Sequence, residues 1–163
     1  MEWFRFFHTQ RDQPAPSPWL NSSRGGRIAL SRYRGRENLV LFFFPSLDCP
    51  GCQRALQNLA AHQREYQERE AEVLVVVSGP AAQPALQEAG AYPFPVLADP
   101  EGTARQAYIA ILSAPVGDDK PLVFVLDRYG VPYAALICPA PDDPALQGEI
   151  LEWLDFIEFQ CPE

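Results

Sequence analysis

Two cysteines separated by two residues, Cys49-Pro50-Gly51-Cys52, stand between an apolar run and a segment with helical periodicity. The run Leu39–Phe44 contains no polar residue, which is typical of a strand that is covered on both faces of a sheet. Thiols in the first turn of a helix meet unpaired N–H groups and the positive end of the helix dipole, which favour the thiolate. A strand, a dithiol turn and a helix in this order predict a redox site whose thiolate attacks disulfides or peroxides.

Length and composition favour one domain over residues 1–163. A chain of 163 residues that is 47% hydrophobic can bury one core without covalent staples. The segment 1–27 is expected to be irregular, because its second half is rich in Pro, Ser, Asn and Gly and has no periodicity beyond one possible short hairpin. Four cysteines are too few for a disulfide scaffold, so a bridge between Cys49 and Cys52 is expected to be functional rather than structural.

The charge of the chain excludes some partners. A formal net charge of −8 makes nucleic acid and anionic membrane surfaces poor partners. The first residues, Met1–His8, carry no long apolar run behind a basic start, so we expect neither a signal peptide nor a membrane span. These observations predict a cytoplasmic protein.

The remaining apolar patterns alternate between strands and helices before a terminal hairpin and helix. An amphipathic helix is expected to run from Cys52 past Tyr66. The other predicted elements are a strand at Val73–Ser78, a short helix at about Ala82–Ala89, an extended segment at Phe94–Asp99, a helix at Pro100–Ile109, a hairpin of Leu122–Leu126 with Val131–Ile137, and a helix at Pro144–Phe159. This order predicts an α/β fold with a mixed sheet.

Four stretches are similar in order and spacing to a known group of proteins. They are Leu30–Pro45, the Cys-Pro-Gly-Cys motif, Phe94–Gly102 and Pro121–Gly130. Together they resemble the thioredoxin-like redoxins of the alkyl hydroperoxide reductase and thiol-specific antioxidant group, over roughly Ile28 to Phe159. The resemblance implies a thioredoxin-like fold, with a mixed central sheet flanked by helices. It also implies an antioxidant oxidoreductase that needs no cofactor, acts on thiol or disulfide substrate proteins or on peroxides, and is recycled by a reducing thiol system.

Two subfamilies of this group imply different chemistry. Peroxiredoxins carry a proline and a hydroxyl residue at fixed spacing before the attacking cysteine; Pro45 and Cys52 keep that spacing, but Cys49 holds the hydroxyl position. The arginine that peroxiredoxins carry before a later strand is replaced here by Pro121. Thioredoxin-like disulfide reductases instead have a CxxC at this place and a cis proline, facing the thiols, at the position of Pro121.

The chain also departs from thioredoxin. The inner dipeptide is Pro50-Gly51 rather than Gly-Pro, and Pro50 at the first helical position leaves the helix start intact because that residue needs no N–H partner. Asp48 stands where thioredoxin has an aromatic residue, and its carboxylate beside Cys49 opposes thiolate formation. Arg54 is either a solvated residue of the helix or a cation that offsets Asp48.

The expected site residues are Cys49, Cys52 and Pro121. In the leading hypothesis, a thiol–disulfide oxidoreductase, Cys49 is at the N-cap, is the more exposed thiol and attacks, and Cys52 resolves the mixed disulfide. In the alternative, a thiol peroxidase, Cys52 attacks the peroxide and Cys49 resolves the sulfenic acid. A third hypothesis is a non-catalytic module that uses the disulfide as a switch.

A zinc site is disfavoured, because His8, His62, Cys138 and Cys161 are scattered along the chain and supply no second ligand pair. Cys138 is expected to be a core residue. Cys161 is expected to be a free thiol of the tail, with a resolving role as the alternative. We therefore expect neither a metal nor a cofactor.

Overall fold

An eight-stranded sheet organises the residues that the computed structural model describes, 1–6 and 13–160. Its strands are β1 (Phe4–Arg5), β2 (Trp19–Ser22), β3 (Arg27–Ala29), β4 (Asn38–Phe44), β5 (Ala71–Ser78), β6 (Val96–Asp99), β7 (Leu122–Leu126) and β8 (Pro132–Ile137), in the spatial order β1-β8-β7-β4-β5-β6-β2-β3. His8 and Cys161, which the sequence singled out, lie outside the described residues.

Five helices accompany the sheet in the described part of the chain. They are α1 (Pro50–Ala61), α2 (Gln63–Glu68), α3 (Ala82–Glu88), α4 (Thr103–Leu112) and α5 (Ala145–Gln160). Among the described residues, no helix has the length and apolar character needed to cross a membrane. The mixed α/β, thioredoxin-like fold predicted from the sequence is confirmed.

The central strand β4 explains why the core has two layers. All seven residues of β4 are buried, and its side chains alternate between the faces of the sheet. Phe42 and Phe44 contact the apolar layer under α1, α2, α3 and α5, whereas Leu41 and Phe43 contact the layer under α4. Strand β4 pairs in parallel with β5 and antiparallel with β7, so the sheet is mixed. The apolar run Leu39–Phe44 is therefore part of a strand with helices on both sides of the sheet, as predicted.

The expectation of an irregular segment at 1–27 is wrong in part, while the one short hairpin that the sequence allowed there is formed by β2 and β3. Strand β1 pairs with β8, and β2 pairs with β6 and with β3, so this segment supplies strands at both sides of the sheet. Strands of two to four residues are too short to show a periodic pattern in the sequence. They form because β8 and β6 offer unpaired backbone groups that a passing segment satisfies.

Two helix boundaries also differ from the sequence prediction. The helix expected from Pro100 begins at Thr103, because the Asp99 carboxylate accepts hydrogen bonds from the backbone N–H groups of Ala104 and Arg105 and fixes the first turn there. The single helix expected after Cys52 is two helices that meet at His62, whose Nδ1 lies 2.8 Å from the Asn58 carbonyl oxygen. The Asn58 carbonyl oxygen also accepts the His62 backbone N–H over 3.2 Å, so the side chain and the backbone of His62 share this oxygen at the break.

Candidate redox site

The dithiol motif lies at the carboxyl end of the central strand. Strand β4 ends at Phe44, a short loop follows, and Cys49 is the N-cap of α1 with extended backbone angles (φ −75°, ψ 145°). Pro50 occupies the first helical turn, as predicted, since its missing N–H costs no hydrogen bond there. The fold thus places both sulfurs at a helix start beside the end of a buried strand.

The two sulfurs are joined in a disulfide. The S–S distance is 2.09 Å and the Cα atoms are 5.1 Å apart. Cys49 is exposed, while Cys52 is 4% exposed and contacts the core layer under α1. The backbone N–H of Cys52 donates to Cys49 Sγ over 3.0 Å, so an unpaired helical N–H points at the outer sulfur. The predicted difference in exposure is confirmed, and the reversibility of the bond stays a prediction.

A carboxylate from another part of the chain lies over the first turn of α1. Arg54 donates through Nε and Nη2 to Asp142 Oδ2, both over 2.8 Å. A Cβ atom on Gly51 would stand 3.4 Å from Asp142 Oδ1, so the absence of a side chain at position 51 lets this carboxylate approach the motif. Of the two interpretations of Arg54, the exposure of its side chain agrees with a solvated residue of the helix, and its ion-pair partner is Asp142 rather than Asp48.

A polar chain braces the loop before the cysteines. The Tyr92 hydroxyl donates to Gln53 Oε1 over 3.3 Å, and Gln53 Nε2 donates to the Leu47 carbonyl oxygen. The Tyr92 ring stacks on Phe94, with centroids 5.3 Å apart. Sequence reasoning missed Gln53, Tyr92 and Asp142; only Gln53, adjacent to Cys52, carried a positional signal.

Pro121 lies at the expected end of the sheet but not in the expected isomer. Leu122 pairs with Phe43, which places Pro121 beside the end of β4 that leads to the cysteines. The described residues contain no cis peptide bond, so the prediction of a cis Lys120–Pro121 bond is wrong. That prediction depended on family position alone, and trans is the ordinary state of such bonds. Pro121 is buried, and its carbonyl oxygen accepts a hydrogen bond of 2.8 Å from the Cys138 N–H.

Arg105 holds the segment that leads into Pro121. This side chain is 4% exposed, and its Nη2 donates to the carbonyl oxygens of Gly117 (3.0 Å) and Lys120 (2.7 Å). Burial lowers the pKa of Arg105, and Asp118, Asp119 and Asp99 oppose that effect. The residue therefore positions backbone from the α4 side of the sheet.

The third described cysteine is a core residue, as predicted. Cys138 is fully buried and belongs to the same apolar layer as Cys52. Burial raises the pKa of the Cys138 thiol to about 11; a backbone hydrogen bond with Ala140 acts in the opposite direction. Within residues 1–6 and 13–160, no three His, Cys, Asp or Glu side chains converge as metal ligands would.

An exposed sulfur at a helix N-cap, bonded to a buried sulfur one turn later, defines a thioredoxin-fold redox protein with a CxxC disulfide. Comparison with known proteins gives the family. Residues 12–132 match the AhpC/TSA family, and the chain belongs to that family. It is an oxidoreductase that acts on peroxides or thiols.

Individual relatives agree with this assignment. Alkyl hydroperoxide reductase E of Mycobacterium tuberculosis is 30% identical over 120 residues, which cover 72% of this chain and 78% of the relative. The crystal structure of peroxidoxin BcpB from Mycobacterium tuberculosis aligns with a TM-score of 0.72 at 21% identity, covering 89% of this chain and 96% of the other. A candidate thiol:disulfide interchange protein DsbE from Chlorobium tepidum aligns with a TM-score of 0.67 at 24% identity, covering 87% and 96%. At these identities the two structures establish the shared fold.

Proposed function

We propose that the protein exchanges electrons between a dithiol and a disulfide, with Cys49 as the attacking thiolate and Cys52 as the resolving thiol. The observation that carries this assignment is the exposure of Cys49 at the N-cap beside a bonded Cys52 that is 4% exposed. An incoming substrate reaches the outer sulfur first, and the helix start stabilises the thiolate there.

In this reaction the dithiol of the protein is oxidised while the substrate disulfide is reduced. The Cys49 thiolate attacks one sulfur of a substrate disulfide, forms a mixed disulfide and releases the other substrate sulfur as a thiolate. Cys52 then loses its proton, attacks Cys49 Sγ and releases the second substrate sulfur, so that two electrons and two protons have passed to the substrate. The product is the Cys49–Cys52 disulfide seen in the structure. A dithiol reductant reverses the same two steps on the protein.

In this proposal the groups around the dithiol fix the neighbouring backbone and alter the charge near Cys49. The Pro121 carbonyl fixes the backbone at Cys138, ahead of the loop that carries Asp142. The Asp142 and Asp48 carboxylates moderate the thiolate at Cys49, because negative charge near a thiol raises its pKa. We propose a thiol reductant of the reducing cytoplasm as the electron source and protein disulfides as substrates.

A thiol peroxidase is the second candidate, and membership of the AhpC/TSA family favours it. In that reaction the Cys52 thiolate attacks the peroxide O–O bond, becomes a sulfenic acid and releases water or an alcohol. Cys49 then attacks the sulfenic sulfur and expels water, which forms the same disulfide. This order requires peroxide to reach the sulfur of Cys52, a residue that is 4% exposed in the disulfide form.

Single-turnover oxidation of the reduced protein separates the two candidates. Hydrogen peroxide and a small disulfide are mixed in turn with the wild type, Cys49→Ser and Cys52→Ser, and Cys138→Ala serves as the matched control. The proposal expects fast oxidation by the disulfide, a trapped mixed disulfide in Cys52→Ser and no reaction in Cys49→Ser. Rapid peroxide consumption by Cys49→Ser, with dimedone labelling of Cys52, would reverse the roles.

A further inference from the structure

A polar cavity lies at the end of the sheet opposite the cysteines. It has a volume of about 360 Å³ and adjoins Glu72 at the start of β5 and Pro95 just before β6. The dithiol follows the other end of β4, about 20 Å away along a strand of seven residues. Cavities of about 300 to 1,000 Å³ are the size that binds small molecules. The cavity is thus separate from the redox site.

Three arginines, all of them exposed, line this cavity in a chain whose formal net charge is −8. Arg24 comes from the turn between β2 and β3, and Arg32 and Arg36 come from the segment before β4. Arg24 donates one hydrogen bond, to the Pro93 carbonyl oxygen. Neither Arg32 nor Arg36 has a carboxylate within ion-pair distance among the described residues. Their N–H donors are therefore available to a ligand.

The cavity also has two acidic side chains, Glu37 and Glu72. Burial raises the pKa of Glu72 to about 7, Glu37 adds to that rise and Arg24 opposes it. Burial, Glu72 and Glu37 also raise the pKa of the Tyr33 hydroxyl, while Arg32 and Arg24 lower it. The cavity thus combines three arginines and a Tyr hydroxyl with two acidic side chains, Glu37 and Glu72, of which Glu72 has a pKa raised to about 7.

We propose that this cavity binds a small tetrahedral oxyanion, such as the phosphate or sulfate group of a small molecule, between Arg24, Arg32 and Arg36. A tetrahedral anion offers acceptor oxygens in several directions, which suits three guanidinium groups that arrive from two segments. The protonated Glu72 and the Tyr33 hydroxyl supply further donors. Because an ionised Glu72 repels the anion, binding takes up a proton and weakens as pH rises through the pKa of Glu72.

Sulfate is the probe for the test, because its charge is constant between about pH 6 and pH 8, so only the protein titrates. Calorimetric titration at constant ionic strength, with chloride as the balancing anion, measures affinity for the wild type, Arg32→Gln, Arg36→Gln and Glu72→Gln. Arg64→Gln is the charge-matched control, because Arg64 lies on α2 with a side chain that is 90% exposed. The affinities of inorganic phosphate and phenyl phosphate are measured in parallel, because the first is a free ion and the second is a phosphate group attached to a small molecule.

The proposal expects saturable binding that weakens about tenfold in Arg32→Gln or Arg36→Gln and is unchanged in Arg64→Gln. Wild-type affinity falls from pH 6 to pH 8, and Glu72→Gln binds with no such dependence. A lack of saturable binding, or equal weakening by Arg64→Gln, overturns the site. A pH dependence that persists in Glu72→Gln overturns the proton linkage. All of these readouts are independent of the cysteines, so they hold whichever thiol attacks.

Discussion

Cys49 and Cys138 are at the same end of the sheet and have opposite surroundings. Cys49 is exposed at a helix N-cap, its sulfur accepts a backbone N–H, and it is bonded to Cys52. Cys138 is fully buried, and burial raises its pKa to about 11. The first environment favours a thiolate and the second favours a neutral thiol. Access to water and to a helix start, rather than the residue type, therefore separates a reactive sulfur from a packing one.

The largest expected effect is on turnover. Removing the attacking sulfur with Cys49→Ser leaves no covalent intermediate, so the rate of disulfide reduction falls by about 1,000-fold or more. Cys138→Ala keeps the wild-type rate within a factor of about two, because a neutral buried thiol takes no part in exchange. Steady-state reduction of a small disulfide measures both variants. A large loss of the disulfide-reduction rate in a correctly folded Cys138→Ala variant would contradict the view that Cys49 is reactive and Cys138 is not.

Alkylation of the reduced native protein tests the same comparison without turnover. At about pH 8 we expect Cys49 to react with iodoacetamide at least 100-fold faster than Cys138, since a thiol with a pKa of about 11 is about 0.1% thiolate at that pH. Peptide-resolved mass spectrometry assigns each of the four cysteines. Denatured protein is the control, in which Cys138 becomes as reactive as Cys49. Equal rates in the native state would contradict the burial of Cys138.

For the free energy of unfolding, we expect substitution of Cys138 to have a larger effect than substitution of Cys49. Cys138→Ser places a hydroxyl in an apolar layer and costs about 2 kcal/mol of unfolding free energy. Cys49→Ser changes an exposed residue and costs about 0.5 kcal/mol or less when both proteins are reduced. Urea unfolding in dithiothreitol at pH 7 measures the two values. A Cys138→Ser variant as stable as Cys49→Ser would show that the backbone hydrogen bond with Ala140 compensates fully for burying the hydroxyl.

The buried thiol also predicts a dependence on alkaline pH. A thiol whose pKa is raised from 9.0 to about 11 by folding ionises first in the unfolded chain, so stability is lost as pH rises through this window. At pH 10 we expect a loss of about 1 kcal/mol relative to pH 7 in the wild type beyond the loss seen in Cys138→Ala. Parallel urea titrations at the two pH values give this difference. An identical loss in the two proteins would assign it to other groups.

The smallest expected effect concerns the ion pair of Arg54 with Asp142, which lies over the first turn of α1. Arg54 is 59% exposed, so its pair with Asp142 contributes about 0.5 kcal/mol or less in a double-mutant cycle of Arg54→Gln and Asp142→Asn. Asp142→Asn also lowers the pKa of the Cys49 thiol slightly, because it removes negative charge near the helix start. Thiolate absorbance against pH, in a Cys52→Ser background, measures that change. A higher pKa in Asp142→Asn would contradict the proposed role of the carboxylate.

Much of the fold was predictable because its central elements carry strong local patterns. The unbroken apolar run of β4 predicts a strand covered on both faces, and Pro50 at the helix start predicts where α1 begins. Strand β1 and the pairing of β2 with β6 were not predictable, because two to four residues hold too little pattern and these partners are distant in sequence. The start of α4 was misplaced because the capping carboxylate of Asp99 acts from four residues before the helix.

The features of the redox site also fall into those that were predictable from the sequence and those that were not. The sequence by itself determined the dithiol, its place between a strand and a helix, and which of the two sulfurs is outermost, since each follows from residues that are neighbours in the chain. Only the tertiary structure decided that Asp142 rather than Asp48 pairs with Arg54, that Tyr92 braces Gln53, and that the bond before Pro121 is trans. The physical reason is that these features depend on contacts between segments tens of residues apart, whose distances are set only when the whole sheet is assembled.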